Sequence, residues 1–161
     1  MTPTRSCEVY IDGASRGNPG PAGIGAVFID GGAQPTRQFS QFLGETTNNV
    51  AEYLALVYAL HEAFHAGYTS LTIKTDSELL ARQVNGQYRV RDPLLRLFHD
   101  LALHLMRGFA RCRVEHIPRT QNALADRLAG QAVKKGSGSL TIEPSAKEWP
   151  DGRPRVFLPL G

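Results

Sequence analysis

The feature that most limits how this chain can fold is a switch of hydrophobic period near residue 49. Before it, Cys7, Val9 and Ile11 alternate with Glu8, Tyr10 and Asp12, the two-residue period of a half-buried strand. "AGIGAVFID" reads as a second strand closed by the turn "DGGAQP", and "RQFSQFLG" as a third, which together predict an antiparallel meander. From Asn49 to Gly67 the apolar residues Ala51, Leu54, Ala55, Tyr58 and Phe64 fall at helical spacing, with Gly67 as a stop.

Beyond the switch, strands and helices interleave. "SLTIKT" is a short strand, "SELLARQVNG" a short helix, and Pro93 opens a helix in "DPLLRLFHDLALHLMRG" as its first residue. "ARCRVEHI" is a fifth strand and "TQNALADRLAGQAVKK" a last helix, so the order is βββαβααβα. Strands separated by helices need crossover connections, so strands four and five are expected parallel to strand one, with helices on both faces. The expectation is an α/β fold on a five-stranded mixed sheet, three strands antiparallel and two parallel. Strand one is then central, and Asp12, where it runs into "DGASRGNPGPAG", is a buried carboxylate.

With 161 residues, 42% of them hydrophobic, there is material for one domain with a core. Residues 1–136 are read as that domain, and 137–161, where composition shifts to Pro, Gly and polar residues, as a C-terminal tail that is either disordered or docked through Trp149 and "RVFLPL". The start carries no apolar stretch behind positive charge, and no 18 apolar residues run together, so a cytoplasmic protein with no membrane partner is expected. Cys7 and Cys112 are too few for a disulfide framework and read as buried free thiols. The net charge of +3 is uneven: residues 1–81 hold four Lys and Arg against eight Asp and Glu, residues 82–135 eleven against four. The arginines of "YRVRDPLLR" and "RGFARCR" suit phosphate recognition, or an ordinary solvated surface.

An isolated carboxylate inside a sheet needs a partner. The sequence offers further carboxylates at element ends: Glu52 in the long helix, Asp76 after "LTIKT" and Asp126 in the last helix. Gathered at one edge they repel unless a divalent cation neutralises them. Each has a bland alternative. Glu52 can close a capping box with Asn49, Glu78 can do so with Thr75, Asp76 can be a cap, and Asp12 can begin an Asx turn. Asp126 is flanked by Ala123, Ala129 and Gly130, small residues that leave a groove for another backbone on what is expected to be a packed face. The glycine loop lacks a G-x-x-x-x-G-K-[ST] pattern, which argues against an ATP site, and could lie against the minor groove of an A-like helix.

The set resembles the ribonuclease H family, type 1. "DGASRGNPGPAG" is similar to its opening motif, "TTNNVAEYLAL" to its glutamate-bearing helix, "IKTDS" to its fourth-strand aspartate and "HIPRTQNALADRLA" to its last motif, together covering about residues 5–135. The resemblance implies a ribonuclease H-like fold and endonucleolytic, sequence-independent cleavage of the RNA strand of RNA–DNA hybrids by a monomer. It implies Asp12, Glu52, Asp76 and Asp126 as catalytic carboxylates holding two Mg²⁺ ions, with Mn²⁺ as a substitute. It implies that Gly13, Ser15 and Asn18 lie along the RNA strand, that Asn48 and Asn49 face the minor groove, and that Thr47 meets a phosphate of the DNA strand. Helix-start capping is the alternative for "TTNN". The spacing of 50 positions from Asp76 to Asp126 leaves out the extra basic helix of longer relatives, a short form in which Arg89, Arg91 and Arg96 can substitute in part. His116 and Arg119 are rival aids to catalysis, His116 being equally a strand residue, while His61, His65, His99 and His104 read as surface residues. Other readings are a non-catalytic module for hybrid or double-stranded RNA, a DNA-processing nuclease, or a domain of a reverse transcriptase.

Overall fold

The computed structural model describes residues 3–138, and the expected tail lies outside them except where the last helix runs on to Gly138. Three strands come first: β1 (Ser6–Ser15), β2 (Gly20–Ile29) and β3 (Arg37–Thr46). Helix α1 (Asn48–His65) leads to β4 (Ser70–Thr75), α2 (Glu78–Val84), α3 (Pro93–Met106), β5 (Arg111–His116), a 3-10 turn at Arg119–Gln121 and α4 (Ala123–Gly138). The sheet order is β3-β2-β1-β4-β5, with β1–β2 and β2–β3 antiparallel and β1–β4 and β4–β5 parallel. The mixed five-stranded sheet expected from the sequence is the one observed, with β1 at its centre.

Strand β1 does not stop at Asp12. It continues through Gly13, Ala14 and Ser15, paired against Ile24 to Ala22 of β2. Its parallel pairing with β4 ends earlier, at Ile11 opposite Thr75. Asp12 is therefore bound to the sheet on one side only, and Asp76 is the first residue after the strand that has just ended. Ligand sites in such sheets open beyond the carboxyl ends of parallel strands for this reason.

Helix α1 buries Ala51, Ala55, Leu56, Ala59, Leu60 and Ala63, a face rich in alanine that seats the helix close to β1. Burying Leu56 or Leu60 contributes about 1.5–3 kcal/mol each. On the opposite face α4 lies over β2, β1 and β3. The close approach comes from β2: a Cβ on Gly25 would stand 2.5 Å from the Ala125 oxygen, and one on Gly23 2.6 Å from the Ala132 Cβ. The groove read around Asp126 thus belongs to Ala125, Ala129 and Ala132, while Gly130 has open space beside it.

The helix starts differ from the capping assignments. Thr47, not Asn49, caps α1, its side chain accepting from the Val50 N–H at 3.2 Å. Ser77, not Thr75 or Asp76, caps α2, accepting from the Leu80 N–H. Glu78 is exposed and pairs with Arg82 at 2.8 Å. Both Glu52 and Asp76 are thereby released from capping. Asp92 caps α3 ahead of Pro93, as the helix-start pattern indicates.

Candidate active site

The register places the acids. Asp12 follows the last β1–β4 pair on one strand and Asp76 follows it on the other, while α1 crosses β1 closely enough to bring Glu52 alongside. One carboxylate oxygen from each of Asp12, Glu52 and Asp76 lies within 4.8 Å of the other two. The approach of α1 depends on Gly13, where a Cβ would stand 2.3 Å from the Ala51 carbonyl carbon and 2.4 Å from the Glu52 nitrogen. The Gly13 N–H donates to Glu52 Oε2 at 3.1 Å.

Asp12 and Glu52 are each 5% exposed, so their charges are poorly hydrated. Burial first, then repulsion from Asp76 and Asp126, pushes the Asp12 carboxyl from the usual 3.8 up to about 8. Glu52 is also raised well above its ordinary value, by burial and then by Asp12 and Asp76, with the Gly13 hydrogen bond opposing. No cation among the described residues pairs with Asp12, Glu52 or Asp76. Two buried acids with raised pKa beside a half-buried third, offering only hard oxygen donors, are a divalent-cation site in their chemistry.

Asp126 is the outer member. It lies in the first turn of α4 within hydrogen-bonding reach of Asp12. Its side chain is 42% exposed and meets Arg119 at 3.4 Å, so the fully packed face expected for it is corrected to the rim of the cluster. Arg119 comes from the 3-10 turn. His116 is exposed at the end of β5, opposite Thr75 in register and thus on the same edge of the sheet as Asp76. His61 and His65 are exposed and stack with ring centroids 6.3 Å apart. His99 departs from the surface reading: it is half-buried, near the Gln83 carbonyl at 3.2 Å and edge-on to Tyr53. Cys7 is buried as expected, with burial pushing its thiol up to about 11, whereas Cys112 is only half-buried.

The polar residues of the two neighbouring motifs share one side of this edge. Asn18 accepts through Oδ1 from the Asn48 N–H at 3.3 Å, joining the β1–β2 loop to the start of α1. Ser15 donates to the Gly17 carbonyl at 2.7 Å, and Asn18, Asn48 and Asn49 are exposed while Thr47 is half-buried. Gly13 is buried, which gives it a packing reason of its own.

Two residues that the sequence reading passed over stand behind the site. Asn122 is fully buried, its amide donating to the Ile11 carbonyl at 2.8 Å and to Asp76 Oδ2 at 3.1 Å. Gln83 accepts from the Tyr53 hydroxyl at 2.6 Å and donates to the Arg89 carbonyl at 3.3 Å, anchoring the arginine-bearing loop. An asparagine just before a helix signals an N-cap, and nothing in the pattern says that it faces inward.

Comparison with known proteins agrees with this geometry. Residues 10–132 match the family described as reverse transcriptase-like. The chain is 40% identical over 126 residues to a ribonuclease HI of Halobacterium salinarum, covering 78% of this chain and 63% of the relative. The crystal structure of the RNase H1 of that archaeon superposes with a TM-score of 0.79 at 38% identity, covering 81% of this chain and 98% of that one. A bifunctional protein of Mycobacterium tuberculosis is 40% identical over 84% of this chain, which spans 37% of its length. LC11-RNase H1, crystallised in complex with an RNA/DNA hybrid, gives a TM-score of 0.77 at 39% identity, over 81% of this chain and 99% of that one. The chain thus spans less than two thirds of the curated relatives just named. By its matched residues, its sheet order and its acidic edge, the chain belongs to the ribonuclease H family.

Proposed function

We propose that this protein is a ribonuclease H, an endonuclease that hydrolyses the RNA strand of RNA–DNA hybrids without sequence preference. The observation that carries the reading is the gathering of Asp12, Glu52 and Asp76 within 4.8 Å, against their own repulsion, in a chain otherwise similar to RNase H1 proteins. A binding module that never cuts has no use for buried acids whose repulsion weakens its fold.

In this reading Asp12, Glu52, Asp76 and Asp126 hold two Mg²⁺ ions, with Mn²⁺ able to replace them. Such ions, when bound, polarise the phosphodiester and lower the pKa of a water in line with the leaving 3′-oxygen, so that 5′-phosphate and 3′-hydroxyl ends result. The protein's own part is positional. Glu52 is fixed by the Gly13 N–H, Asp76 by Asn122, and Asp126 rides on α4 at the rim. The strip of Ser15, Asn18, Thr47, Asn48 and Asn49, with the backbone from Gly13, receives the hybrid. Polar uncharged groups there suit ribose 2′-hydroxyls and base edges in a wide minor groove. Arg89, Arg91 and Arg96 are exposed and have no ion-pair partner among the described residues, so they are free to meet phosphates. The protein acts as a monomer in the cytoplasm, and its residues 1–136 form the catalytic unit.

The test is cleavage of end-labelled hybrid, duplex RNA and duplex DNA, each with Mg²⁺ and with chelator. Cutting confined to the RNA of the hybrid, and only with Mg²⁺, is expected. An intact hybrid, or duplex RNA cut equally well, overturns the reading.

A further inference from the structure

Asn122 stands between the 3-10 turn and α4 with a side chain that is 0% exposed. Its Nδ2 amide donates to the carbonyl of Ile11, the residue before Asp12, and to Asp76 Oδ2. Its backbone carbonyl accepts from the Asp126 N–H at 3.0 Å. One residue therefore touches the strand that delivers Asp12, the carboxylate of Asp76 and the helical turn that carries Asp126. Among the described residues, no other hydrogen bond reaches the Asp76 carboxylate.

The remaining polar atom of this side chain is the telling one. Asn122 Oδ1 is buried and has no partner, the one such side-chain atom among the described residues. Turning the amide over would set Oδ1 against two acceptors, the Ile11 carbonyl and Asp76, so the observed orientation is the one the surroundings permit. A buried acceptor without a donor is destabilising, and an apolar side chain of similar size would avoid it. The residue thus makes sense through its two donated hydrogen bonds.

We propose that Asn122 is a positioning residue, whose amide locks the Asp76 carboxylate to the strand carrying Asp12 and so presets the spacing of the metal-binding oxygens. The inference rests on the ribonuclease H reading and adds to it a device outside the acids themselves. Groups that orient metal ligands typically change affinity by about 10–100-fold when removed.

The test uses the full chain, free of nucleic acid, titrated with Mn²⁺ by calorimetry, beside kinetics on the hybrid. Asn122→Ala is expected to weaken Mn²⁺ binding about tenfold or more and to lower kcat at limiting metal. The KM for the hybrid should stay within about twofold and the missing activity should return in part as Mg²⁺ is raised. Asn122→Asp, equal in shape but without the amide donors, should show the same weakening; it also serves if Asn122→Ala does not fold. Asn85→Ala is the comparison, since Asn85 donates to the Val114 carbonyl at 3.0 Å with no acid attached; it should lower melting temperature and leave Mn²⁺ affinity alone. Unchanged Mn²⁺ affinity in the folded Asn122 variants overturns the inference while leaving the nuclease reading intact. A wild-type protein that neither binds Mn²⁺ nor cuts hybrid overturns the reading beneath it.

Discussion

Gly13 and Glu52 meet twice over: the Gly13 N–H donates to the Glu52 carboxylate at 3.1 Å, and a Cβ on Gly13 would stand 2.4 Å from the Glu52 backbone nitrogen. The close approach that seats α1 on the central strand thus also aims one of the acids. Gly13→Ala forces backbone apart, since the nearest atoms belong to the main chain of α1. Overpacking of this kind costs about 2 kcal/mol or more, a fall in melting temperature of about 5 °C or more. Calorimetric melting beside hybrid cleavage checks it, and an alanine variant as stable and active as wild type would falsify the close-packing argument.

Asp12→Asn removes one buried charge from the trio of Asp12, Glu52 and Asp76, with which no cation among the described residues pairs. Without metal, at pH 8 to 9, this variant should melt about 3 °C or more above wild type, because repulsion on Glu52 and Asp76 is relieved. Added Mg²⁺ should raise the melting temperature of wild type but not of this variant, hybrid cleavage should be lost, and hybrid affinity in chelator should be kept. A variant less stable than wild type in chelator would show that the acids do not strain the fold.

The raised acids also set the sign of a pH dependence. With Asp12 moved from 3.8 to about 8 in the folded state, the folded protein keeps a proton that the unfolded chain has released between those values. Metal-free stability is therefore greatest below about pH 4 as far as this group is concerned, and falls as pH rises toward 8; Glu52, raised too, acts in the same direction. A divalent cation held by these acids would displace those protons, so its binding should tighten with pH and flatten the fall. Melts in chelator from pH 5 to 9 read this directly. Stability that climbs across that range contradicts the raised pKa.

Arg89, Arg91 and Arg96 are exposed on the loop and helix beyond α2. Changing all three to Ala should raise the KM for hybrid and leave kcat within about twofold. The slope of log affinity against log salt should shrink by about one for each phosphate that an arginine no longer neutralises. An unaltered salt slope removes these arginines from the binding surface.

The sequence carried the sheet and the acids further than it carried their supports. Alternation in β1 and helical spacing in α1 show through because each element buries one face, so the topology and the meeting of Asp12, Glu52 and Asp76 could be expected. The extent of β1 could not: Gly13 to Ser15 look like loop, and only the β2 partner makes them strand. Capping was legible in kind but shifted in place, since Thr47, Asn48 and Asn49 are all acceptable caps and backbone geometry chooses among them. Asn122 and Gln83 were illegible because the value of a buried amide lies in partners 111 and 30 residues away, at Ile11 and Tyr53. The glycines of β2 that admit α4 likewise declare their purpose only once Ala125 and Ala132 lie over them.

The convergence of carboxylates on divalent ions is tested most directly by diffraction from crystals grown with Mn²⁺, located by anomalous scattering. Peaks coordinated by oxygens of Asp12, Glu52 and Asp76, and absent in Asp76→Asn, are expected. Crystals saturated with Mn²⁺ that show no peak at these oxygens, or the same peak after Asp76→Asn, contradict it.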